Sequence, residues 1–211
     1  MSTGDLLGLL WAFGGAVLAL FPIVDPVTAG FSFAGITQGR SVAWKRRQAL
    51  LACIYMVVIL LCFQVLGTVI LTFFAITLDA IRVAGGLMLW YAAIEMLQGT
   101  EKLTTEEKTD VIGKEDVAFT PMAMPLLSGP GAIAVTLSLS ARAESITNEI
   151  AVGLAVVTMA TITYVCLRFA PLLQKKFSET GRLAFTKMLG FLLLCVSVQF
   201  VMTGVAPLLG K

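Results

Sequence analysis

Prolines at 22 and 26, with Asp25 just before the second, interrupt an otherwise apolar run from about residue 6 to residue 37. No other feature of the chain narrows its fold so far. Proline withholds an amide donor and clashes with the turn before it. The stretch Phe21-Pro22-Ile23-Val24-Asp25-Pro26 therefore predicts a helical piece over about 6–20, a break at 22–26, and a second piece over about 27–37. At 1.5 Å per residue neither piece crosses roughly 30 Å of hydrocarbon alone. A second stretch, Pro121-Met-Ala-Met-Pro125-Leu-Leu-Ser128-Gly129-Pro130-Gly131, does the same to an apolar segment at about 117–140. Broken backbone at membrane depth is tolerated only where protein buries it or it lines a cavity. Two such breaks in corresponding places point to a solute-binding site.

The breaks carry that meaning only if the chain lives in a membrane, and composition says that it does. Hydrophobic residues make up 58% of the 211, charged residues 13%, and mean hydropathy is +0.92, far from the soluble range. Further apolar segments at about 48–74, 81–97, 148–170 and 187–209 bring the expected count to six spans. The fold class expected is an all-α polytopic membrane protein in a single membrane domain. Residues 1–10 carry Asp5 and neither Lys nor Arg, so the first segment is read as a retained span and not as a cleaved secretory signal. Cys53, Cys62, Cys166 and Cys195 sit singly in apolar runs and are expected to be free thiols. With no histidine and no ligand cluster, no metal site and no cofactor are expected.

Charge orients the spans. Arg40, Lys45, Arg46 and Arg47 form a basic loop, which could also touch lipid headgroups; residues 98–116 form a polar, acidic cytoplasmic linker. All of the 15 Lys and Arg except Arg82, Arg142 and Lys211 fall in the first, third and fifth loops or at the helix ends beside them. By the positive-inside rule both termini face away from the cytoplasm. The basic residues mark membrane boundaries and form no patch with aromatics, which excludes a nucleic-acid partner.

The two halves resemble each other. Arg82-Val-Ala-Gly85 with Gly99 matches Lys187-Met-Leu-Gly190 with Gly204 at an offset of 105, and Pro22 and Pro26 precede Pro125 and Pro130 by 103 and 104. Residues 1–97 and 117–211 then form two repeats of three spans each. An odd number of spans inverts the second copy, so a 3+3 inverted repeat with segments 1 and 4 broken near mid-membrane is predicted.

Each piece after a break directs its amide hydrogens and the positive end of its dipole to the bilayer centre. Asp25 can cap the first by accepting from Val27 or Thr28, with Pro26 as first helical residue. Gly129 before Pro130 offers no side chain, which leaves the amides of Gly131, Ala132 and Ile133 for an anion, and the glycines let a ligand approach the backbone. An anion site facing a buried acid suits a small zwitterion. Asp25 could hold its ammonium, a proton or a sodium ion. Thr28, Ser32, Ser128 and Thr136 supply hydroxyls, Ser128 being the strongest candidate. Gln64 and Gln199 are candidate cavity-lining residues, while Glu95 is read as an interfacial residue. Gly85, Gly86 and Gly190 are read as close-packing positions, and Arg82 and Lys187 as helix-end anchors. Gly4 with Gly8 could serve internal packing or a homo-oligomer.

The Pro-Ile-Val-Asp-Pro stretch at 22–26, Arg82-Val-Ala-Gly85-Gly86, the whole stretch from Pro121 to Gly131, and Met188-Leu-Gly190 followed by Val198-Gln199-Phe200 and Gly204 resemble the MarC family of bacterial inner-membrane proteins. The resemblance spans essentially the whole chain and implies six spans with the topology counted above. It also implies transport of small neutral amino acids such as glycine and alanine, as described for some relatives. Others were named for an antibiotic-resistance locus without a settled activity. Relatives usually carry Asn where this chain has Asp25, a change from a neutral amide to a group able to titrate. The expectation is a secondary transporter of small neutral amino acids, an exporter in one reading, working by alternating access around the two breaks. The alternatives are a carrier of another small solute or a non-transporting membrane scaffold. An enzyme is not expected, since nothing near Ser128 in sequence would activate it.

Overall fold

Hydroxyl side chains set four of the helix starts. Ser41, Thr77, Ser145 and Ser178 each accept from the amide three residues on, at 3.3, 3.2, 3.3 and 3.1 Å. Such caps are worth about 1 kcal/mol each. In the computed structural model, which describes residues 3–99, 116–141, 143 and 145–209, the elements in chain order are all helical or turn. Helix α1 (Thr3–Val24) runs straight through Pro22 and ends at Asp25, whose backbone is left-handed (φ 47°, ψ 67°). Helix α2 (Pro26–Ile36) begins at the next residue. The first interruption is thus one residue long, at Asp25, and not the five-residue break expected at 22–26.

Helix α3 (Val42–Phe73) starts at the Ser41 cap, so Lys45, Arg46 and Arg47 belong to its first turns and not to a loop. Its end is closed by Ile76 N–H donating to Leu71 O at 2.9 Å and Ala75 N–H to Thr72 O at 3.2 Å, with Ala75 left-handed at φ 51°. Helix α4 (Leu78–Gln98) stops at left-handed Gly99. The linker expected at 98–116 lies almost wholly outside the described residues. An irregular wound segment follows (Ala118–Leu127), interrupted by extended backbone at Thr120 and Met124, each the residue before a proline. Helix α5 (Pro130–Ala141) leaves that segment at a bend of 59°. Helices α6 (Ile146–Arg168), α7 (Ala170–Lys176) and α8 (Glu179–Val205) and a short 3₁₀ turn (Ala206–Leu209) complete the described chain.

Five spans are long and apolar enough to cross a membrane, α1 and α2 together forming one of them; the bent pair of the wound segment and α5 makes six. The core between them is rich in fully buried methionine, with Met56, Met96, Met122 and Met159 from four different elements. Helix α3 follows the wound segment and α5 along their length. Gln48 Oε1 accepts from Val117 N–H at 3.2 Å, the Tyr55 and Phe119 rings meet edge to face at 5.6 Å, and Leu137 fills the space beside Gly67.

Helices α4 and α8 make the most extensive contact in the molecule. It is built on glycine. A Cβ placed on Gly204 would lie 2.7 Å from Asp79 O, one on Gly190 3.3 Å from Ala93 O, and one on Gly86 3.0 Å from Ser197 O. In a membrane, where lipid tails are as apolar as side chains, such close backbone approach is what drives helices together. Gly85 instead faces Ala134 of α5. Arg82 pairs with Asp79 at 2.7 Å and donates through Nε to Ser138 Oγ at 3.3 Å, tying the start of α4 to the end of α5.

Candidate functional site

The two breaks adjoin. Helix α1 packs on α5 and α2 packs on the wound segment, so each piece of one broken span lies against the opposite piece of the other. At the crossing, Ile23 Cγ2 would stand 3.6 Å from a Cβ on Gly131.

Asp25 is fully buried on the first side. Its Oδ1 accepts from Thr28 N–H at 3.2 Å and its carbonyl from Ala29 N–H at 3.0 Å, which makes it the N-cap of α2. Asp tolerates the left-handed backbone that the position demands. Capping returns about 0.5–2 kcal/mol. A carboxylate within a span costs roughly 2.5–3.5 kcal/mol. Since Asn would cap equally well without charge, the cap does not account for an acid here. Thr28 Oγ1 lies 3.5 Å from Thr186 Oγ1 of α8, and Pro26 and Ser32 are buried beside it.

On the second side Ser128 is also fully buried. Its amide donates to Ala123 O at 2.8 Å, but its Oγ has no hydrogen-bond partner among the described residues. An orphaned hydroxyl in a protein interior costs about 1–3 kcal/mol. Of the three amides expected to be free at the start of α5, that of Ile133 donates to Gly129 O at 3.1 Å. Those of Gly131 and Ala132 meet no acceptor among the described residues. Packing alone already requires both glycines: a Cβ on Gly129 would lie 2.6 Å from Pro125 O, and one on Gly131 would overlap Leu89. Thr136 spends its hydroxyl on Ala132 O at 2.8 Å.

Comparison with known proteins places this arrangement. The model of the MarC family of integral membrane proteins matches residues 10–209. The chain belongs to the MarC family. It is 30% identical over 191 residues to the UPF0056 membrane protein YhcE of Escherichia coli strain K12, covering 89% of each chain. It is 31% identical over 194 residues to the UPF0056 membrane protein MJ0972 of Methanocaldococcus jannaschii, covering 90% of this chain and 85% of the relative. It is 28% identical over 218 residues to the UPF0056 inner membrane protein MarC of Salmonella typhimurium, covering 97% and 98%. No solved structure matches. This MarC-family chain is therefore a multi-pass integral membrane protein with inner-membrane relatives.

The remaining candidates of this MarC-family chain divide. Gln64 is buried on α3 and donates through Nε2 to Glu149 O at 2.8 Å. Gln199 is exposed on α8, so it lines no interior cavity in this conformation. Sequence reasoning missed Leu89, Thr186 and Glu149, each brought to a candidate residue from a distant part of the chain. Nothing local announces them. Leu89 lies in an apolar run, and only the empty Cβ position of Gly131 hints that a neighbour fills it.

Proposed function

We propose that this protein is a secondary transporter of small neutral amino acids such as alanine or glycine, with the zwitterion held between the two breaks. One observation carries the reading: the buried, unpartnered Ser128 Oγ stands at a helix start whose Gly131 and Ala132 amides are also unmet. Three donors at the positive pole of α5 suit a carboxylate. The Asp25 carboxylate at the adjoining break suits the ammonium group or a coupling cation. Helices α2 and α5 have 11 and 12 residues, so both breaks lie about 16–18 Å from the ends of their spans, near the middle of a bilayer of roughly 30 Å.

The inverted repeat supports alternating access. The 105-residue offset brings Gly99 onto Gly204. A Cβ on Gly204 would touch Asp79 and Val83, and one on Gly99 would touch Leu183 and Lys187, within one residue of the positions that the offset gives. This reciprocity is what a two-fold axis in the membrane plane produces between antiparallel α4 and α8. The Lys and Arg distribution puts both termini on the outer side.

The test is counterflow of radiolabelled alanine and glycine into proteoliposomes. Saturable exchange that Ser128→Val reduces at least tenfold, in protein with unchanged thermal unfolding, is the expected result. Exchange that survives Asp25→Asn but loses its pH or sodium dependence makes Asp25 the coupling residue. Folded protein without exchange of any small amino acid overturns the substrate and moves weight to another solute or to a scaffold.

A further inference from the structure

At the far end of α5 from the break, three elements meet through oxygen. Gln64 of α3, Ser140 of α5 and Glu149 of α6 share a small cluster in which acceptors outnumber hydrogens. The Gln64 amide is fixed in orientation, because its Nε2 donates to Glu149 O at 2.8 Å. A flipped amide would set two carbonyl oxygens against each other. Its Oε1 is left buried with no hydrogen-bond partner among the described residues. Ser140 has one hydroxyl hydrogen and two acceptors, Gln64 O and Glu149 Oε1, each at 3.4 Å. That is well beyond the usual hydroxyl hydrogen bond of about 2.7–2.8 Å. Among the described residues no Lys or Arg pairs with Glu149.

We infer that Gln64, Ser140 and Glu149 form a binding site for a small monovalent cation of sodium's size. Hard cations take oxygen ligands at about 2.3–2.6 Å, so two oxygens at right angles around such an ion stand about 3.4 Å apart. Ser140 Oγ keeps that spacing from both Gln64 O and Glu149 Oε1. The orphaned Gln64 Oε1 adds a further neutral oxygen on the same side chain, and the exposed Glu149 opens the site to solvent. A single carboxylate balances one positive charge, which selects a monovalent ion over a divalent one. The ion would join α3, α5 and α6, and so brace the bent span from its end. The inference is independent of the amino-acid reading, since it concerns different residues and a different ligand.

Thermal unfolding of the purified full-length protein in detergent, in sodium chloride against choline chloride at equal ionic strength, tests it without any transport measurement. The expected result is a saturable rise of the midpoint on the order of 5 °C when sodium far exceeds its dissociation constant. Gln64→Leu and Glu149→Gln should each abolish the rise while unfolding cooperatively in choline; Ser140→Ala, which keeps the carboxylate, should weaken it. Equal midpoints in sodium and choline overturn the site. So does a midpoint that responds to calcium at micromolar concentration and not to sodium, or a sodium response that survives Glu149→Gln.

Discussion

Leu89 fills, against Gly131, the space that any side chain at position 131 would need. Gly131→Ala should therefore cost about 1–3 kcal/mol through overpacking. Leu89→Ala alone should cost about 2–5 kcal/mol, since Leu89 is buried. Together they should cost clearly less than the sum, because the smaller residue makes room for the new methyl. Unfolding in detergent measures all three, and strict additivity would show that the two residues do not share this space.

Asp25 meets two backbone demands at once, a left-handed φ and an accepting side chain for Thr28 N–H. Asn meets both. Asp25→Asn should be at least as stable as the parent, since it keeps the cap and sheds the buried charge, whereas Asp25→Ala should be about 1–3 kcal/mol less stable than Asp25→Asn, from the cap and the left-handed backbone together. Equal stability of the two variants would remove the capping role.

Glycine serves opposite ends on different faces. Adding a methyl at Gly86 meets Ser197 O and Val201 N at 3.0 Å, and should destabilise by about 1–3 kcal/mol. At Gly14 nothing stands within 4 Å, so Gly14→Ala should be neutral or should stabilise by about 0.5–1 kcal/mol through helix propensity. Thermal midpoints in one detergent decide the sign of each.

Ala75 holds a backbone conformation that glycine adopts without penalty. Ala75→Gly should stabilise the turn after α3 by up to about 1 kcal/mol, the relief of left-handed strain offset in part by added freedom in the unfolded chain. A lowered midpoint would mean that the Ala75 methyl contributes more through packing than its backbone costs.

Membrane class and helical content were legible because hydropathy acts locally. So was the cap at Asp25, a short-range pattern of Asp followed by Pro. Helix starts were read several residues late at Val42 and Glu179, because charge counted against a span while the Ser41 and Ser178 caps were passed over. Pro22 predicts a break, yet it sits in the last turn of α1. The meeting of Gln64 with Glu149, 85 residues apart, and of Gly131 with Leu89 has no local signature, because those contacts are set by how helices lie on one another. Gln199 looked equivalent to Gln64 in sequence. The direction each helix face takes separated them.

The chain continues past Asp25 within a single span of 29 residues, bent there by less than the 59° turn between Leu127 and Pro130. Two halves of like sequence thus hold unlike shapes. For a carrier that works by exchanging the roles of its halves, such a difference is a compass needle: it records which side of the bilayer the site addresses. The opposite end state would then be reached by bending at Asp25 and straightening at Ser128, with the glycine-lined seam between α4 and α8 as the pivot about which the handedness of access reverses.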